Sequence, residues 1–262
     1  MDLYTSIRAL ECLLATSLLI QTIEFLRLRD FSDAAEVWRW DIQRRDVAHA
    51  AGWLRGVFDW LYQERIHRGH LLLRAGAAAS LYLGVSLASS VFLFVSTVLI
   101  LIRWRGAFNG GSDFMTIVVL TGLLVSQLAQ LFVAPALAWK AGLWYIAIHA
   151  ITSYFISGAI KLMQREWRDG RILVHFLDGG LYGPLPADSV FRRRPVAILA
   201  SWSFIVWECL FPAALAGPVW AVVWCAVAAV FHLLVFRFFG LNRFFWAWSA
   251  SFPAIVYCAG QW

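Results

Sequence analysis

The sequence predicts an all-α integral membrane protein: one bundle of about seven transmembrane helices, with one or two amphipathic helices at the membrane interface. Of its 262 residues, 61% are hydrophobic and 15% are charged, and the mean hydropathy is +0.69. These values leave too little polar surface for a soluble globular protein of this length. Fifteen Trp and seven Tyr, many beside charged residues at the ends of apolar runs, match the aromatic belts found at headgroup level.

The first span is predicted from about Ile7 to Leu28, with Arg8 and Glu11 spaced for a local ion pair. Residues 29–75 then form a polar connection in which apolar residues recur at helical spacing, which indicates the interfacial amphipathic helices. The recurring residues are Val47, Ala51, Leu54, Phe58 and Leu61. The second span follows from about Ala75 to Ile102.

The third and fourth spans are predicted at Ile117 to Trp139 and Gly142 to Leu162. Before them, residues 108–115 read FNGGSDFM, a glycine turn that supplies polar atoms. Residues 163–194 form a second polar connection, which contains a Gly/Pro-rich piece that breaks helices.

The fifth span starts at Pro195 and includes Glu208, and the sixth runs from the turn at Gly217 to about Phe239. The seventh extends from about Arg243 to Gly260. The whole chain, 1–262, is treated as one transmembrane domain.

By the positive-inside rule, the basic residues at three connections place the N-terminus on the cytoplasmic side. They are Arg103 and Arg105, the triplet Arg192 to Arg194, and Arg237 with Arg243. The arginines of the 29–75 connection oppose this assignment, because they would then lie outside, but its length and its acidic residues reduce their weight.

The net charge of +6 therefore fits cytoplasmic loops, and no basic patch interleaved with aromatic residues points to nucleic acid. The cysteines lie singly in apolar runs, without disulfide or zinc spacing, and are interpreted as core residues. His67 and His70 are three residues apart, but no third ligand is near them. We therefore expect no metal site.

Three polar residues of the fourth span, Tyr154, Ser157 and Lys161, share one helix face because Lys161 follows the other two by seven and four residues. Glu208 and His232 lie on two other predicted helices, and a bundle allows all these side chains to converge. A lysine among apolar neighbours can act as a neutral base. The alternatives are a buried Lys161–Glu208 ion pair and a Lys161 side chain that extends toward the headgroups.

A motif around Lys161 resembles the HTTM domain, the transmembrane core of the vitamin K-dependent carboxylase superfamily. The matching residues are Tyr154, Phe155, Ser157, Gly158, Lys161, Leu162 and Trp167. Weaker similarities are the Asn-Gly-Gly turn at 109–111, Glu208 before Phe211 and Pro212, and the Phe231-His232 step. Together they cover most of residues 100–250.

The resemblance implies a membrane enzyme, a carboxylase-like lyase or oxidoreductase, in which Lys161 is the base and a reduced quinone is the cofactor. We predict Lys161, Glu208 and His232 as catalytic residues. We predict Tyr154, Ser157, Asn109 and Asp113 as cofactor-binding residues. The expected location is the inner membrane of a bacterium.

Some carboxylase features have no counterpart here. Ile160 stands where carboxylases have a second lysine, Gly111 lies near the place of the family's histidine, and the large lumenal portion that holds the substrate propeptide is missing. We therefore expect base-initiated chemistry on a peptide or a small metabolite rather than carboxylation of a protein.

The alternative function is a non-catalytic membrane factor for the maturation, export or immunity of a secreted peptide. In that case Lys161 only pairs with Glu208. A transporter is less favoured, because the sequence shows no paired broken helices in two halves.

Overall fold

The structure of the chain, a computed structural model, describes residues 1–28, 39–104 and 110–261. Within these ranges it is helical and contains no β-strand, which confirms the all-α class. The α-helices are α1 (Leu3–Arg27), α2 (Trp40–Gln43), α3 (Gly52–Leu61), α4 (Glu64–Ser80), α5 (Leu87–Trp104), α6 (Gly110–Ala129), α7 (Pro135–Met163), α8 (Arg165–Arg168), α9 (Arg171–Asp178), α10 (Arg194–Cys209), α11 (Pro218–Phe239), α12 (Asn242–Ser249) and α13 (Phe252–Ala259). Short 3-10 helices cover Arg44–Val47, Val190–Arg192 and Phe211–Ala216.

Five of the described helices, α1, α5, α6, α7 and α11, are long and apolar enough to cross a membrane. The predicted fifth span corresponds to α10, which has only 16 residues before the 3-10 helix Phe211–Ala216. The predicted seventh span is divided into α12 and α13, of eight residues each. Pro253 causes that division because it has no N–H to donate to the preceding turn.

The predicted second span, Ala75 to Ile102, is wrong as a single helix. Residues 81–86 form a turn that separates α4 from α5. Arg8 pairs with Glu11, as the sequence predicted, and donates to a backbone carbonyl of this turn at 2.5 Å. Glu11 accepts the Val85 N–H at 2.9 Å. The pair therefore satisfies backbone groups that an interrupted helix leaves free.

The boundary between the third and fourth predicted spans is also wrong. Instead of continuing to Trp139, α6 ends at Ala129, and α7 begins at Pro135 and runs for 29 residues. Proline fits the first turn of a helix, where its missing N–H costs nothing, and it favours an extended residue before it. Ala134 is extended, with ψ of 135°.

The two polar connections contain short helices. In the first, α3 is amphipathic: Phe58 is buried, while Trp53 and Trp60 are 74% and 58% exposed. The last part of the first connection, from Glu64 onward, already belongs to α4, and residues 29–38 lie outside the described residues. The second connection, predicted at 163–194, holds α8 and α9.

The helices traverse the bundle between two ends. At the end that we call the Arg8 end, Arg8 and the start of α1 contact the turn 81–86. At the opposite end, the Arg103 end, Phe25 near the end of α1 stacks on Trp104 at the end of α5, with 5.7 Å between ring centres. Arg243, at the start of α12, lies 5.2 Å from the Phe25 ring.

The connection between α9 and α10 also lies at the Arg103 end, because Leu181 donates its N–H to the carbonyl of Phe238, near the end of α11, at 2.8 Å. The N-terminus therefore lies at the opposite end from the basic residues at 103, 192–194 and 243. The sequence analysis placed all of them on one side. The placement of the N-terminus at the same end as these residues is wrong, because the sequence analysis assumed one helix fewer between them.

Small residues allow α6 and α7 to pack closely. A Cβ atom on Gly142 of α7 would lie 1.9 Å from Ser126 Oγ and 2.7 Å from the carbonyl oxygen of Gly122 on α6. Only glycine fits this crossing, a common device of helix packing in membranes. The crossing fixes α7, which carries the candidate site.

Candidate functional site

The candidate site is built on α7, whose face carries Tyr154, Ser157 and Lys161. The structure confirms that these residues belong to one helix, Pro135–Met163. Tyr154 is buried within the bundle, whereas Lys161 is near the end of the helix, about 10 Å further along at 1.5 Å per residue. The face therefore runs from the protein interior to the Arg103 end.

Lys161 and Glu208 form a close ion pair. The ammonium nitrogen lies 2.5 Å and 2.7 Å from the two carboxylate oxygens of Glu208. It also donates to the hydroxyl of Ser157 at 2.6 Å. The side chains of Lys161 and Glu208 are only 15% and 3% exposed. A charged pair with so little contact with water depends on these direct contacts.

Gly158 brings α10 to this position. A Cβ atom there would lie 2.6 Å from the backbone nitrogen of Cys209 and 2.8 Å from Cβ of Glu208. Because the helices touch at this glycine, Glu208 on α10 lies within direct contact of Lys161 on α7. The glycine of the sequence motif thus has a direct role in forming the pair.

His232 bonds to Tyr154 rather than to Lys161. The Tyr154 hydroxyl and the Nε2 atom of His232 share a hydrogen bond of 2.6 Å. Tyr154 and His232 are 3% and 1% exposed, and the His232 Nδ1 atom has no hydrogen-bond partner among the described residues. Aromatic rings surround the pair: Phe211 stacks on Tyr154, with 4.0 Å between centres, and Trp248 lies 5.2 Å from His232.

The three predicted catalytic residues, together with Tyr154, which was predicted to bind the cofactor, thus form two adjacent pairs along one face of α7. The first is Lys161–Glu208, and the second is Tyr154–His232. Trp207, the residue before Glu208, packs against the Tyr154 ring at 5.3 Å and connects them. Lys161 and Glu208 can exchange a proton directly, whereas His232 can reach them only through other groups.

An apolar groove opens beside Lys161. Its volume is about 330 Å³, and α8, α9, α10 and α11 supply its walls. Lys161 is the only charged residue among those that line it in the described part of the chain. Seven of the other twelve lining residues are aromatic: Trp167, Phe176, Phe191, Phe204, Phe231, Phe238 and Phe239. Trp167 also contacts Lys161, with 5.3 Å from the ring centre to Nζ.

The sequence analysis did not find this groove. A signal was present on α11, where Phe231, Leu234, Val235 and Phe238 recur at helical spacing and all line the groove. The other walls come from α10 and from the connection at 163–194, which was interpreted as polar and which contains α8 and α9. Only the three-dimensional arrangement brings these apolar residues together.

The residues predicted near the glycine turn lie elsewhere. Asn109 is outside the described residues. Asp113, on the first turn of α6, accepts a hydrogen bond from Gln21 at 3.2 Å and lies 3.9 Å from Arg243. Its partners are therefore on α1 and α12, and none of these contacts involves Lys161.

A second buried polar cluster surrounds Arg74, which has no exposed surface. Its guanidinium donates to Gln21 at 2.7 Å and to Thr97 at 2.8 Å. Further bonds to Thr22 and Ser96 measure 3.2 Å each. Through Gln21 this cluster joins Asp113 and links α1, α4, α5 and α6.

The described residues contain no group of three or more His, Cys, Asp and Glu side chains that could hold a metal ion. His70 bonds to Ser96 at 2.8 Å, and the rings of His67 and His70 lie 5.9 Å apart. The four cysteines are unpaired thiols.

Comparisons of this chain with models of known protein families, with curated proteins and with solved structures gave no match.

Proposed function

We propose that this chain is an integral membrane enzyme of the HTTM type, related to vitamin K-dependent carboxylases. In this proposal it begins its reaction by removing a proton from a lipid-soluble molecule beside Lys161. The observation that carries the proposal is the position of Lys161, whose paired ammonium group lines an otherwise apolar groove. Apolar sites with a few convergent polar groups are typical of ligand pockets.

A membrane location is supported by the five long apolar helices and by their outward faces. On α11, Val219 and Val230 are 75% and 57% exposed, and on α7, Ile148 and Ile156 are 52% and 49% exposed. Large apolar faces of this kind mark surfaces that do not meet water.

The volume of the groove, about 330 Å³, and its apolar lining support a quinone-type ligand. Phe176, Phe204, Phe231 and Phe238 would hold the ring and its apolar tail, and Lys161 would meet a polar oxygen. A reduced quinone, when bound, supplies an acidic hydroxyl and two electrons for base-initiated chemistry.

In this chain the proton would move through the Lys161–Glu208 pair. As an ammonium, Lys161 cannot accept a proton. Transfer of one proton from Nζ to a Glu208 oxygen, across 2.5 to 2.7 Å, leaves a neutral amine beside the groove. A neutral amine is a competent general base. Ser157, 2.6 Å from Nζ, keeps the amine in place during this exchange.

Binding of a reduced quinone tests the proposal. Purified protein in mild detergent is titrated with a short-tailed quinol, and tryptophan fluorescence reports binding because Trp167 lines the groove. We expect Lys161→Met to weaken binding about tenfold, which corresponds to about 1.4 kcal/mol. The chain has one other lysine, Lys140, which is exposed, so Lys140→Met is the matched control. Equal binding by both variants would show that Lys161 does not contact the ligand.

Catalysis needs a separate readout. We expect the wild-type protein in lipid to oxidise the quinol with added dissolved oxygen as the two-electron acceptor, and we expect this activity to be lost in Lys161→Met. Extraction of a stoichiometric quinone from the purified wild-type protein would support the same function. A Lys161→Ala variant that inserts normally and keeps full activity would exclude the proposed base.

A second candidate function is supported by the pair itself, because Glu208 holds Nζ with both carboxylate oxygens. In a non-catalytic factor for the maturation, export or immunity of a secreted peptide, this pair would only stabilise the bundle. In that case the Lys161→Met, Glu208→Gln double variant would keep its function in cells. If the protein is the proposed enzyme, the same double variant loses its function because it has no base.

A further inference from the structure

A basic pocket lies beside the candidate site, at the Arg103 end of the bundle. It has a volume of about 640 Å³, and its charged lining consists of four arginines and one aspartate, for a net charge of +3. The charged residues are Arg165, Arg171, Arg192, Arg194 and Asp169. Nothing in the proposed chemistry at Lys161 uses this pocket.

Two of the arginines, Arg165 and Arg194, form no direct ion pair with a described carboxylate, and Arg165 interacts with Asp169 only at longer range. Arg171 pairs with Asp169 at 2.8 Å, and Arg192 pairs with Asp178 at 2.8 Å. The hydrogen bond from Arg171 lowers the pKa of Asp169, so Asp169 is charged at neutral pH and is already used by Arg171. The pocket therefore keeps uncompensated positive charge.

The backbone of the pocket is fixed by contacts with α10. Gly170, between α8 and α9, has φ of +79°, and a Cβ there would lie 2.7 Å from the backbone of Ala197. The Ser201 hydroxyl donates to the carbonyl of Trp167, and the Trp202 indole donates to the carbonyl of Arg168 at 3.1 Å. The segment that carries Arg165 is thus held on the helix that begins with Arg194.

The location of the pocket indicates the kind of anion that it would meet. It lies where the long apolar helix α7 ends and α10 begins, and Trp167 and Trp202 mark the same level. Tryptophan and arginine at the end of an apolar helix are typical of the headgroup region of a bilayer. Basic pockets between helices at this depth bind the phosphate groups of anionic lipids.

We infer that the pocket of Arg165, Arg171, Arg192 and Arg194 binds the phosphate of an anionic phospholipid headgroup. The two arginines without a direct ion pair, Arg165 and Arg194, supply charge-assisted hydrogen bonds to the phosphate oxygens. Arg171 and Arg192, held by their aspartates, contribute positive potential. The inference depends on the membrane location in the proposed function, and not on chemistry at Lys161.

The test compares lipids by native mass spectrometry of the full-length protein in mild detergent. We expect phosphatidylglycerol to bind about tenfold or more tightly than phosphatidylcholine. The Arg165→Gln, Arg194→Gln variant should lose about 25-fold in phosphatidylglycerol binding, at roughly fivefold per arginine. Arg165→Lys, Arg194→Lys keeps the charges and should keep most of the binding. Raising the salt from about 0.1 M to about 0.5 M should weaken the interaction.

The chain offers a matched control in a second arginine-lined pocket, whose three arginines face two aspartates. Arg45→Gln, Arg55→Gln removes two charges there and should leave lipid binding unchanged. An equal loss in this control, or none in the Arg165→Gln, Arg194→Gln variant, would overturn the inference. So would displacement of the lipid by glycerol 1-phosphate at comparable concentration, because the site would then prefer a soluble phosphate. Lys161→Met should not change lipid binding, so this inference and the proposed function can fail separately.

Discussion

Lys161 and Glu208 carry opposite charges at positions with little access to water. Taking two such charges out of water costs several kcal/mol each, and their attraction repays the cost only when the geometry is close. Here one ammonium nitrogen contacts both carboxylate oxygens and a serine hydroxyl. Each charge is therefore tolerated because of the other, and this applies whether or not the pair is catalytic.

This mutual dependence predicts a strong coupling between substitutions. Lys161→Met and Glu208→Gln should each destabilise the protein, Lys161→Met by about 3–5 kcal/mol because it leaves a buried carboxylate without a partner. The double variant should be more stable than Lys161→Met alone. Unfolding midpoints of the purified proteins in detergent would measure the cycle. Additive losses would mean that the two side chains do not interact in the folded protein.

Tyr154 supports a second prediction at a single position. Tyr154→Phe removes the hydroxyl that bonds to His232 at 2.6 Å and leaves a fully buried imidazole without that partner. We expect a loss of about 1–3 kcal/mol in stability. The control is Tyr4→Phe on α1, at a residue that is 73% exposed, which should have little effect. A stable Tyr154→Phe protein would indicate that His232 finds another partner.

The sequence predicted part of the geometry of the candidate site, while the roles of its residues stay predictions. Helical spacing was enough to place Ser157 and Lys161 on one face, and the unusual carboxylate Glu208 was recognised as a partner. The sequence could not show that His232 bonds to Tyr154, because that contact depends on the rotation of α11 about its axis. It also could not assign Asp113 to the Arg74 cluster, which joins helices that are far apart in sequence.

At the scale of whole helices, hydropathy predicted the uniformly apolar elements and missed the others. The sixth span, α11, agrees with the prediction, since it ends at Phe239. The helix α4 was interpreted as part of a polar connection because of its charges, yet Arg74 on it is completely buried. Gln21, Thr22 and Thr97 on neighbouring helices satisfy this arginine. A polar helix can therefore lie inside the bundle when side chains on neighbouring helices supply hydrogen bonds to it. A hydropathy average over one segment does not include those side chains.

The contact between α7 and α10 predicts the effect of a minimal change. Gly158→Ala adds a methyl group that would lie 2.6 Å from the backbone of Cys209, and backbone cannot rotate away. We expect the helices to separate, stability to fall by about 1–3 kcal/mol, and quinol binding beside Lys161 to weaken. Circular dichroism melts and the fluorescence titration measure the two effects.

The matched control for this substitution is Gly76→Ala on α4. Gly76 is exposed, and a Cβ atom there would have no atom within 4 Å. Alanine favours helix by up to about 1 kcal/mol over glycine, so this control should be neutral or stabilising. A Gly158→Ala protein that behaves like the control would contradict the close packing of α7 on α10.

At the scale of the whole molecule, the basic residues are distributed unequally between the two ends. Toward the Arg8 end, the described basic residues are Arg8 and Lys140. The arginines of the 39–68 segment and of the 163–194 connection, together with Arg103, lie toward the Arg103 end. This asymmetry is stronger than the one counted from the sequence, in which the arginines at 29–75 opposed the assignment. In the structure these arginines no longer oppose the others. Because α4 runs back from the Arg103 end to the Arg8 end, the described arginines before it lie at the same end as Arg103.

The asymmetry predicts the orientation of the protein in a membrane. By the positive-inside rule we expect the Arg103 end to be cytoplasmic and the N-terminus to lie outside, opposite to the assignment from sequence. Cysteine labelling measures this orientation. A cysteine in place of Tyr4, which is 73% exposed, should react with a membrane-impermeant maleimide on intact cells. A cysteine in place of the exposed Asp188 should react only after permeabilisation. Both variants are made in a background in which the four native cysteines are alanine. The reverse labelling pattern would restore the first assignment, and labelling of both cysteines on intact cells would mean that the bundle does not separate the two ends across a membrane.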